Sequence, residues 1–144
     1  MIRGLKEMIF IRHALFISLL CPFLVSAQLA ITVLPVKVTG QKAVVPLVLK
    51  NNFTEKVESA RAVVFLLDEE GKMLGQSTRW VIGGAKNQPA LESKNETKFN
   101  FVIPTTKPLT TTNLTTKVNF TRLVLEGGKL ADLRNDVKIQ NGTQ

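Results

Sequence analysis

The chain has little of the chemistry that most enzymes use. Its 144 residues include one histidine, one cysteine, one tryptophan and no tyrosine. His13 and Cys21 both lie within the first 27 residues, so residues 28–144 have no imidazole, thiol or phenol group. These groups supply most general bases and nucleophiles. We therefore predict a protein that is not an enzyme, with no catalytic residue, no metal and no cofactor, and residues 28–144 cannot form disulfides.

The first 27 residues have the layout of a secretory signal peptide. Arg3, Lys6 and Arg12 precede or border an apolar stretch from 14 to 25, and small residues follow in Val25-Ser26-Ala27. A basic start, a short apolar stretch and small residues at the cut are typical of a cleaved leader. We expect cleavage after Ala27 and an extracytoplasmic location, periplasmic or secreted.

Three alternatives to cleavage are less consistent with the same residues. A permanent membrane helix needs about 20 apolar residues, whereas this stretch is shorter and contains Pro22. A lipid anchor on Cys21 would need a small residue before it, and Leu20 stands there. A buried N-terminal helix would leave the order of basic, apolar and small residues unexplained. We expect no membrane span after cleavage.

Residues 28–144 are sufficient for one domain. The formal net charge is +8, of which the leader contributes +2. The basic residues occur singly from Lys37 to Lys138, which is typical of a solvated surface. Weak attraction to anionic envelope polymers or lipid headgroups is compatible with this charge. Nucleic acid is not a predicted partner, because basic and aromatic residues are not interleaved.

Segments rich in Val, Ile, Leu, Phe and Thr predict about seven strands and no amphipathic helix. The predicted strands are 30–38, 43–50, 57–68, 72–82, 96–103, 117–126 and a short edge strand at 137–139. A Thr-rich crossover, 104–116, joins two of them. The sequence thus predicts an all-β fold, an antiparallel two-sheet immunoglobulin-like β-sandwich, over residues 28–144.

Local features refine the predicted strands. In the first strand, Leu34, Val36 and Val38 alternate with Pro35 and Lys37. Pro46 cannot donate to a strand ladder, so its strand is predicted to lie at an edge or to be bulged there. The apolar phase of the last long strand shifts, which predicts a bulge near Thr121-Arg122. Gly71 is expected to take the left-handed conformation that closes a hairpin.

Several motifs resemble one family. Val45-Pro46-Leu47-Val48-Leu49-Lys50-Asn51-Asn52, Val64-Phe65-Leu66-Leu67-Asp68, Gly71 and Lys98-Phe99-Asn100-Phe101 resemble the FxLYD-type domains of bacterial secreted and envelope proteins. Val64 and Leu67 replace that family's Phe and Tyr. The resemblance covers roughly residues 43–126. It implies a small β-sandwich without catalytic residues.

Six consecutive apolar residues, 62–67, suggest a binding surface. Successive side chains of a strand point to opposite faces, so one alternate set faces away from the core. The candidate binding residues are Val63, Phe65 and Leu67, opposite Val64 and Leu66. Val44 and Val48 are expected to extend this apolar surface, which marks an interaction site unless the 104–116 crossover or the chain ends cover it.

Two other features allow different interpretations. Trp80, beside Arg79, could stack on a sugar ring, or could fill the core and leave Arg79 outside. Asp68, Glu69 and Glu70 could be an acid–base pair or a calcium site. A catalytic pair of carboxyl groups needs a buried setting that an exposed hairpin tip lacks, so a polar turn is the favoured interpretation.

Five Asn-x-Ser/Thr sequons are present, where the composition gives about one by chance. Their asparagines are Asn52, Asn95, Asn113, Asn119 and Asn141. The excess suggests glycosylation if the host is a eukaryote. In a bacterium it would reflect only Thr-rich segments.

These observations lead to one functional hypothesis and one alternative. The hypothesis is a non-catalytic exported module that binds a protein or an envelope polymer through a sheet face or an edge strand. An edge strand carrying Pro46 would suit strand addition by a partner. The alternative is a carbohydrate-binding accessory domain that uses Trp80.

The leader prediction has a direct test. After expression of the full chain in a secretion-competent host, the exported protein should begin at Gln28, because signal peptidase cuts after small residues. Intact-mass measurement and N-terminal sequencing would show this. An uncut chain retained in the cytosol would contradict the predicted export.

Overall fold

The computed structural model of the chain describes residues 28–143, and the predicted leader lies outside this range. In chain order the strands are β1 (Leu29–Val33), β2 (Lys37–Thr39), β3 (Lys42–Asn51), β4 (Val57–Leu67), β5 (Met73–Ile82), β6 (Glu96–Pro104), β7 (Thr115–Leu125), β8 (Lys129–Leu130) and β9 (Val137–Asn141). One 3₁₀ turn, Glu126–Gly128, joins β7 to β8. Within the described residues, no helix has the length and apolarity to cross a membrane.

The strands form two sheets. Sheet A has the order β6–β3–β1–β9, with β2 in line with β1 along the same side of β3. Sheet B has the order β5–β4–β7–β8. All neighbours are antiparallel except β1 and β9, which are parallel. β9 reaches β1 from the other sheet and not through a hairpin, so no tight turn forces it to run antiparallel.

The apolar faces of the two sheets share one core. Alternate residues of β3, from Ala43 to Leu49, are fully buried, as are Phe101 and Ile103 of β6. They belong to one cluster with the inward residues of β4 and β7 in sheet B, such as Val64 and Leu123. The two sheets therefore pack face to face as a β-sandwich, and the predicted all-β fold is confirmed.

Pro46 does not place β3 at an edge, because β3 pairs with β1 and β2 on one side and with β6 on the other. The carbonyl of Pro46 accepts a hydrogen bond from the Leu34 amide. In a regular antiparallel ladder, the amide of residue 46 would also donate a hydrogen bond to the strand on this side, but proline has no amide hydrogen. No regular strand lies opposite Pro46 on this side, because β1 ends at Val33 and β2 begins at Lys37. A proline can therefore occupy this position in a central strand.

The predicted first strand, 30–38, is accordingly two strands. The pairing with β3 shifts by one residue between Val33↔Leu47 in β1 and Lys37↔Val44 in β2. Pro35 lies within the interruption. The buried residues of this region are Leu29, Ile31 and Val33. The prediction that residues 34, 36 and 38 form one face of a continuous strand is therefore wrong.

Other local predictions are confirmed. The pairing of β7 with β4 passes from Arg61↔Arg122 to Ala62↔Phe120, which leaves Thr121 as a bulge. Gly71 has φ of 79° between β4 and β5. The crossover between β6 and β7 contains no strand or helix.

Asn51 organises the point at which the chain leaves sheet A for sheet B. Its side chain is fully buried and makes three hydrogen bonds. The amide donates to the carbonyls of Glu55 and Leu91, at 2.9 and 3.0 Å, and the side-chain oxygen accepts from the Phe53 amide at 2.9 Å. One side chain thus joins the end of β3, the β3–β4 turn and the loop between β5 and β6.

Replacing Asn51 should therefore destabilise the whole fold. We expect Asn51→Ala to lower the free energy of unfolding by about 2–3 kcal/mol, because it leaves buried polar groups without partners. Asn51→Asp should cost more, since a carboxylate would face two carbonyls. Urea unfolding followed by circular dichroism measures both. Asn100→Ala, at an exposed position of β6, is the control, and an equal loss in the two alanine variants would contradict the proposed role of Asn51.

Candidate binding surfaces

The predicted apolar row lies on the outer face of sheet B. Val63, Phe65 and Leu67 are half-buried there, whereas Val64 and Leu66 are fully buried in the core. The 104–116 crossover is hydrogen-bonded to two turns. Its amides at Thr105 and Leu109 donate to the carbonyls of Gln41 and Gly40, at the β2–β3 turn, and the Thr111 hydroxyl donates to Glu69 in the β4–β5 turn.

Polar residues on the neighbouring strands β5 and β7 limit the width of this apolar row. Val63 lies between Thr78 and Asn119, and Phe65 lies between Gln76 and Lys117. Leu67 adjoins Met73, which is 54% exposed, at the end of the row. The surface is therefore one apolar strand between two polar ones. It is not a broad apolar patch.

Val44 and Val48 do not extend the row, so that expectation is wrong. Both lie on the outer face of sheet A, where Val44 pairs with Val102 and Val48 pairs with Lys98. The core separates them from Phe65. Strand periodicity showed that they face away from the core, but it could not show which sheet holds them.

Trp80 lies on the outer face of sheet B and does not fill the core. It pairs with Arg61, and the guanidinium carbon of Arg61 lies over the indole at 5.7 Å from its centroid. The indole also packs on Gly84, where a Cβ would come within 2.3 Å of the ring. Arg79 is exposed as well, so the interpretation that placed Trp80 in the core and Arg79 outside is wrong for Trp80. The indole is thus held between residues of the chain itself, and a stacking sugar would need to displace Arg61.

The acidic residues at the β4–β5 hairpin build the turn. One Asp68 carboxylate oxygen accepts hydrogen bonds from the amides of Glu70 and Lys72 at 2.9 and 2.8 Å. Glu69 accepts from the Thr111 hydroxyl at 3.1 Å. Within residues 28–143, no three His, Cys, Asp or Glu side chains are grouped to hold a metal ion. The geometry agrees with a polar turn.

The sequon asparagines differ in setting. Asn95 and Asn113 are exposed in loops, Asn119 and Asn141 are exposed in β7 and β9, and Asn52 is half-buried beside β3. The Asn52 carbonyl accepts a bond from the Lys94 ammonium group. Most of these amides are therefore sterically accessible, whether or not the host modifies them.

A surface that the sequence reasoning missed is the outer face of sheet A, which we call the lysine face. Its five cationic residues are Lys37, Lys42, Lys50, Lys98 and Lys138. Its one acidic residue is Glu96, opposite Lys50. Across residues 28–143, the one ion pair within 4 Å joins Lys129 to Glu55, so the five lysines have no ion-pair partner there.

The centre of the lysine face is apolar. Val44, Pro46 and Val48 are half-buried along β3, and Val102 of β6 is 45% exposed. A signal for this face exists in the sequence, since Lys42 and Lys50 alternate with the core residues of β3. What the sequence does not show is that four separate strands, β2, β3, β6 and β9, bring their lysines to one face of the sheet.

Comparison with known proteins does not assign a function to this chain. No protein family and no curated protein matches the chain. A similar solved structure is the crystal structure of a Bordetella pertussis protein described as ApaA, with 16% identity and a TM-score of 0.47, covering 73% of this chain and 87% of that one. A likeness at this level carries no argument about binding.

The packing of Trp80 can be tested by fluorescence. Arg61→Ala should increase quenching of the single tryptophan by acrylamide, because the guanidinium no longer covers the ring. The free energy of unfolding should fall by about 0.5–1 kcal/mol through loss of the cation–π contact. Arg79→Ala is the matched control and should leave quenching unchanged. Equal quenching in the wild type and Arg61→Ala would show that Arg61 does not shield the indole.

Proposed function

We propose that this protein is an exported, non-catalytic binding module that attaches to an anionic membrane surface through the lysine face. The observation that carries the proposal is the set of five lysines without ion-pair partners around an apolar centre, with one acidic residue among them. Scattered surface charge would be expected to mix both signs. Accumulation of one sign on one face indicates an anionic ligand.

The chemistry of the face favours lipid headgroups over a soluble polymer. Lys50 and Lys98 occupy diagonal positions on β3 and β6, about 7–8 Å apart at the backbone. Lysine side chains can reach headgroups while their stems cover apolar surface. The exposed Val102 would meet the interface between headgroups and acyl chains, whereas a polyanion in water would leave it unburied.

The electrostatic attraction between the lysine face and an anionic leaflet is strong enough for reversible attachment. Each lysine close to an anionic leaflet contributes about 1 kcal/mol. Five lysines and one glutamate give a net charge of +4 on this face, which corresponds to about 4 kcal/mol, or roughly a thousandfold increase in local concentration. Salt screens these charges, so attachment should weaken as ionic strength rises.

Export and an immunoglobulin-like arrangement of the sandwich are part of the same proposal. The basic, apolar and small residues of 1–27 support export. The chain passes from sheet A to sheet B between β3 and β4, returns between β5 and β6, and crosses again between β6 and β7. Repeated crossing between two sheets is typical of immunoglobulin-like sandwiches. The lack of His, Cys and Tyr in residues 28–144 supports the absence of catalysis.

The carbohydrate-binding alternative has less support from the geometry. It would use Trp80, but the ring already packs on Gly84 and lies under Arg61. No second aromatic side chain adjoins Trp80 across β4, where the paired residue is Arg61. The apolar row of Val63, Phe65 and Leu67 remains a smaller candidate surface for a protein partner.

Vesicle co-sedimentation tests the membrane proposal. The protein purified after expression of the full chain should bind vesicles containing phosphatidylglycerol and not vesicles of phosphatidylcholine alone. Lys50→Gln/Lys98→Gln/Lys138→Gln should weaken binding roughly 100-fold, because three cations are lost from one face.

The control variant removes the same charge elsewhere. Lys72→Gln/Lys86→Gln/Lys117→Gln removes three exposed lysines, in the β4–β5 turn, in the β5–β6 loop and on the outer face of sheet B. Because none of them belongs to the lysine face, this variant should change binding by less than about threefold. Equal losses in both triple variants would contradict a role for this face. Binding to polyphosphate without binding to vesicles would also contradict the membrane proposal and favour an anionic polymer.

A further inference from the structure

One strand of sheet B has a free edge along most of its length. β7 pairs with β4 from Thr115 to Leu125, but β8 pairs with β7 only at Val124 and Leu125. The chain then leaves for sheet A, where β9 pairs with β1. Within the described residues, positions 115–122 therefore have no strand on their second side. Their outward amides and carbonyls can pair with an added strand.

A cavity lies at each end of this free edge. The first, about 270 Å³, is lined by 114–116, by 33–36 at the interruption between β1 and β2, and by 141–142. The second, about 250 Å³, is lined by 121–123 and by three apolar residues of the chain that follows, Leu130, Ala131 and Leu133. The two ends are separated by about five residues, or roughly 17 Å of extended chain. A segment of six or seven residues would span both cavities.

Two exposed apolar side chains flank the same edge. Leu130 of β8 is 67% exposed. Ile139 of β9 pairs with the fully buried Ile31, so it faces the core side of sheet A, yet it is 40% exposed. A core-facing isoleucine remains accessible here because no strand of the described chain closes the gap between β9 and β7. An added strand with inward apolar residues would cover it.

The other long free edge of sheet B is less open. β5 approaches β6 at Gly75, where a Cβ would lie 2.9 Å from the Ile103 side chain and 3.0 Å from the Pro104 carbonyl. Among the described strands, β7 has extensive contacts only with β4 and β8, whereas β5 also contacts β6. The edge of β5 therefore provides an internal control.

Charge selects the kind of segment that fits. Lys117 and Arg122 lie on the outer face of β7, opposite Phe65 and Arg61. Opposite charges on neighbouring strands stabilise a sheet, and like charges destabilise it. No described strand of this chain has more than one acidic residue, so a second copy of the chain would not supply the complementary charges.

We propose that the free edge of β7 binds an extended segment of another protein, in which acidic and apolar residues alternate. The segment adds a strand to sheet B, with its apolar side chains over the gap beside Ile139 and its acidic side chains beside Lys117 and Arg122. Backbone hydrogen bonds supply affinity and the alternating side chains supply specificity, as in other cases of strand addition. This binding is independent of the lysine face.

A labelled peptide, Glu-Val-Glu-Leu-Glu-Val-Glu, is the probe. Fluorescence anisotropy should show saturable binding to the protein purified after expression of the full chain. Amide hydrogen exchange should slow at 116–122 and stay unchanged in β5. A peptide with proline at the central position should bind at least tenfold more weakly, because it cannot complete the backbone ladder.

Variants separate strand addition from general charge attraction. Lys117→Glu/Arg122→Glu should lose at least tenfold in affinity for the acidic peptide and should gain affinity for Lys-Val-Lys-Leu-Lys-Val-Lys. Lys72→Glu/Lys107→Glu is the control with equal charge change and should keep the wild-type preference. Lys50→Gln/Lys98→Gln/Lys138→Gln should also bind the peptide normally, so failure of the membrane proposal would not affect this result.

Several results would overturn the inference. They are absence of saturable binding, protection in β5 instead of β7, equal binding of the proline peptide, or equal effects of the two charge-reversal variants. Sedimentation velocity addresses self-association, and a dimer that protects the β7 amides without peptide would identify a second copy as the occupant and contradict the proposal.

Discussion

The buried side chain of Asn51 is the constraint on which the arrangement of the surfaces depends. Where the chain leaves sheet A, its backbone polar groups must be satisfied without water, since an unpaired buried group costs about 1–3 kcal/mol. Asn51 meets this need for the β3–β4 turn and for the Leu91 carbonyl of a distant loop. The turn thereby brings β4 across the core from β3, and the outward faces of both sheets follow from that placement.

When the two sheets pack face to face, every second residue of each strand must point to the outside. The outward residues differ between the two sheets. Sheet A turns five lysines and an apolar centre to the outside, whereas sheet B shows a narrow apolar row and an arginine packed on an indole. Like charges on one face repel each other and reduce the stability of the free protein. An anionic surface relieves that repulsion, which is a physical reason for the lysine face to bind one.

The lysine face and the free edge of β7 lie on different sheets and use different chemistry. Charge and an exposed valine characterise the first, and unpaired backbone groups between two cavities characterise the second. Because neither surface includes a residue of the other, a membrane and a protein segment could be bound at once. Under the two proposals, the module would hold an acidic partner segment near an anionic surface.

Strand periodicity and turn residues were sufficient to place β3, β4, β6 and β7 within two residues, to locate the Thr121 bulge and to predict Gly71, because each depends on near neighbours in the chain. Tertiary structure alone decided that the Pro46 strand is central, that Val44 and Phe65 belong to opposite sheets, and that lysines from four strands share one face. The alternation of apolar and polar residues along a strand predicts whether a side chain faces the core or the solvent. It does not predict which strands lie beside that residue. Those neighbours are set by pairing between residues far apart in sequence, such as Lys50 with Glu96, and by the crossings between sheets.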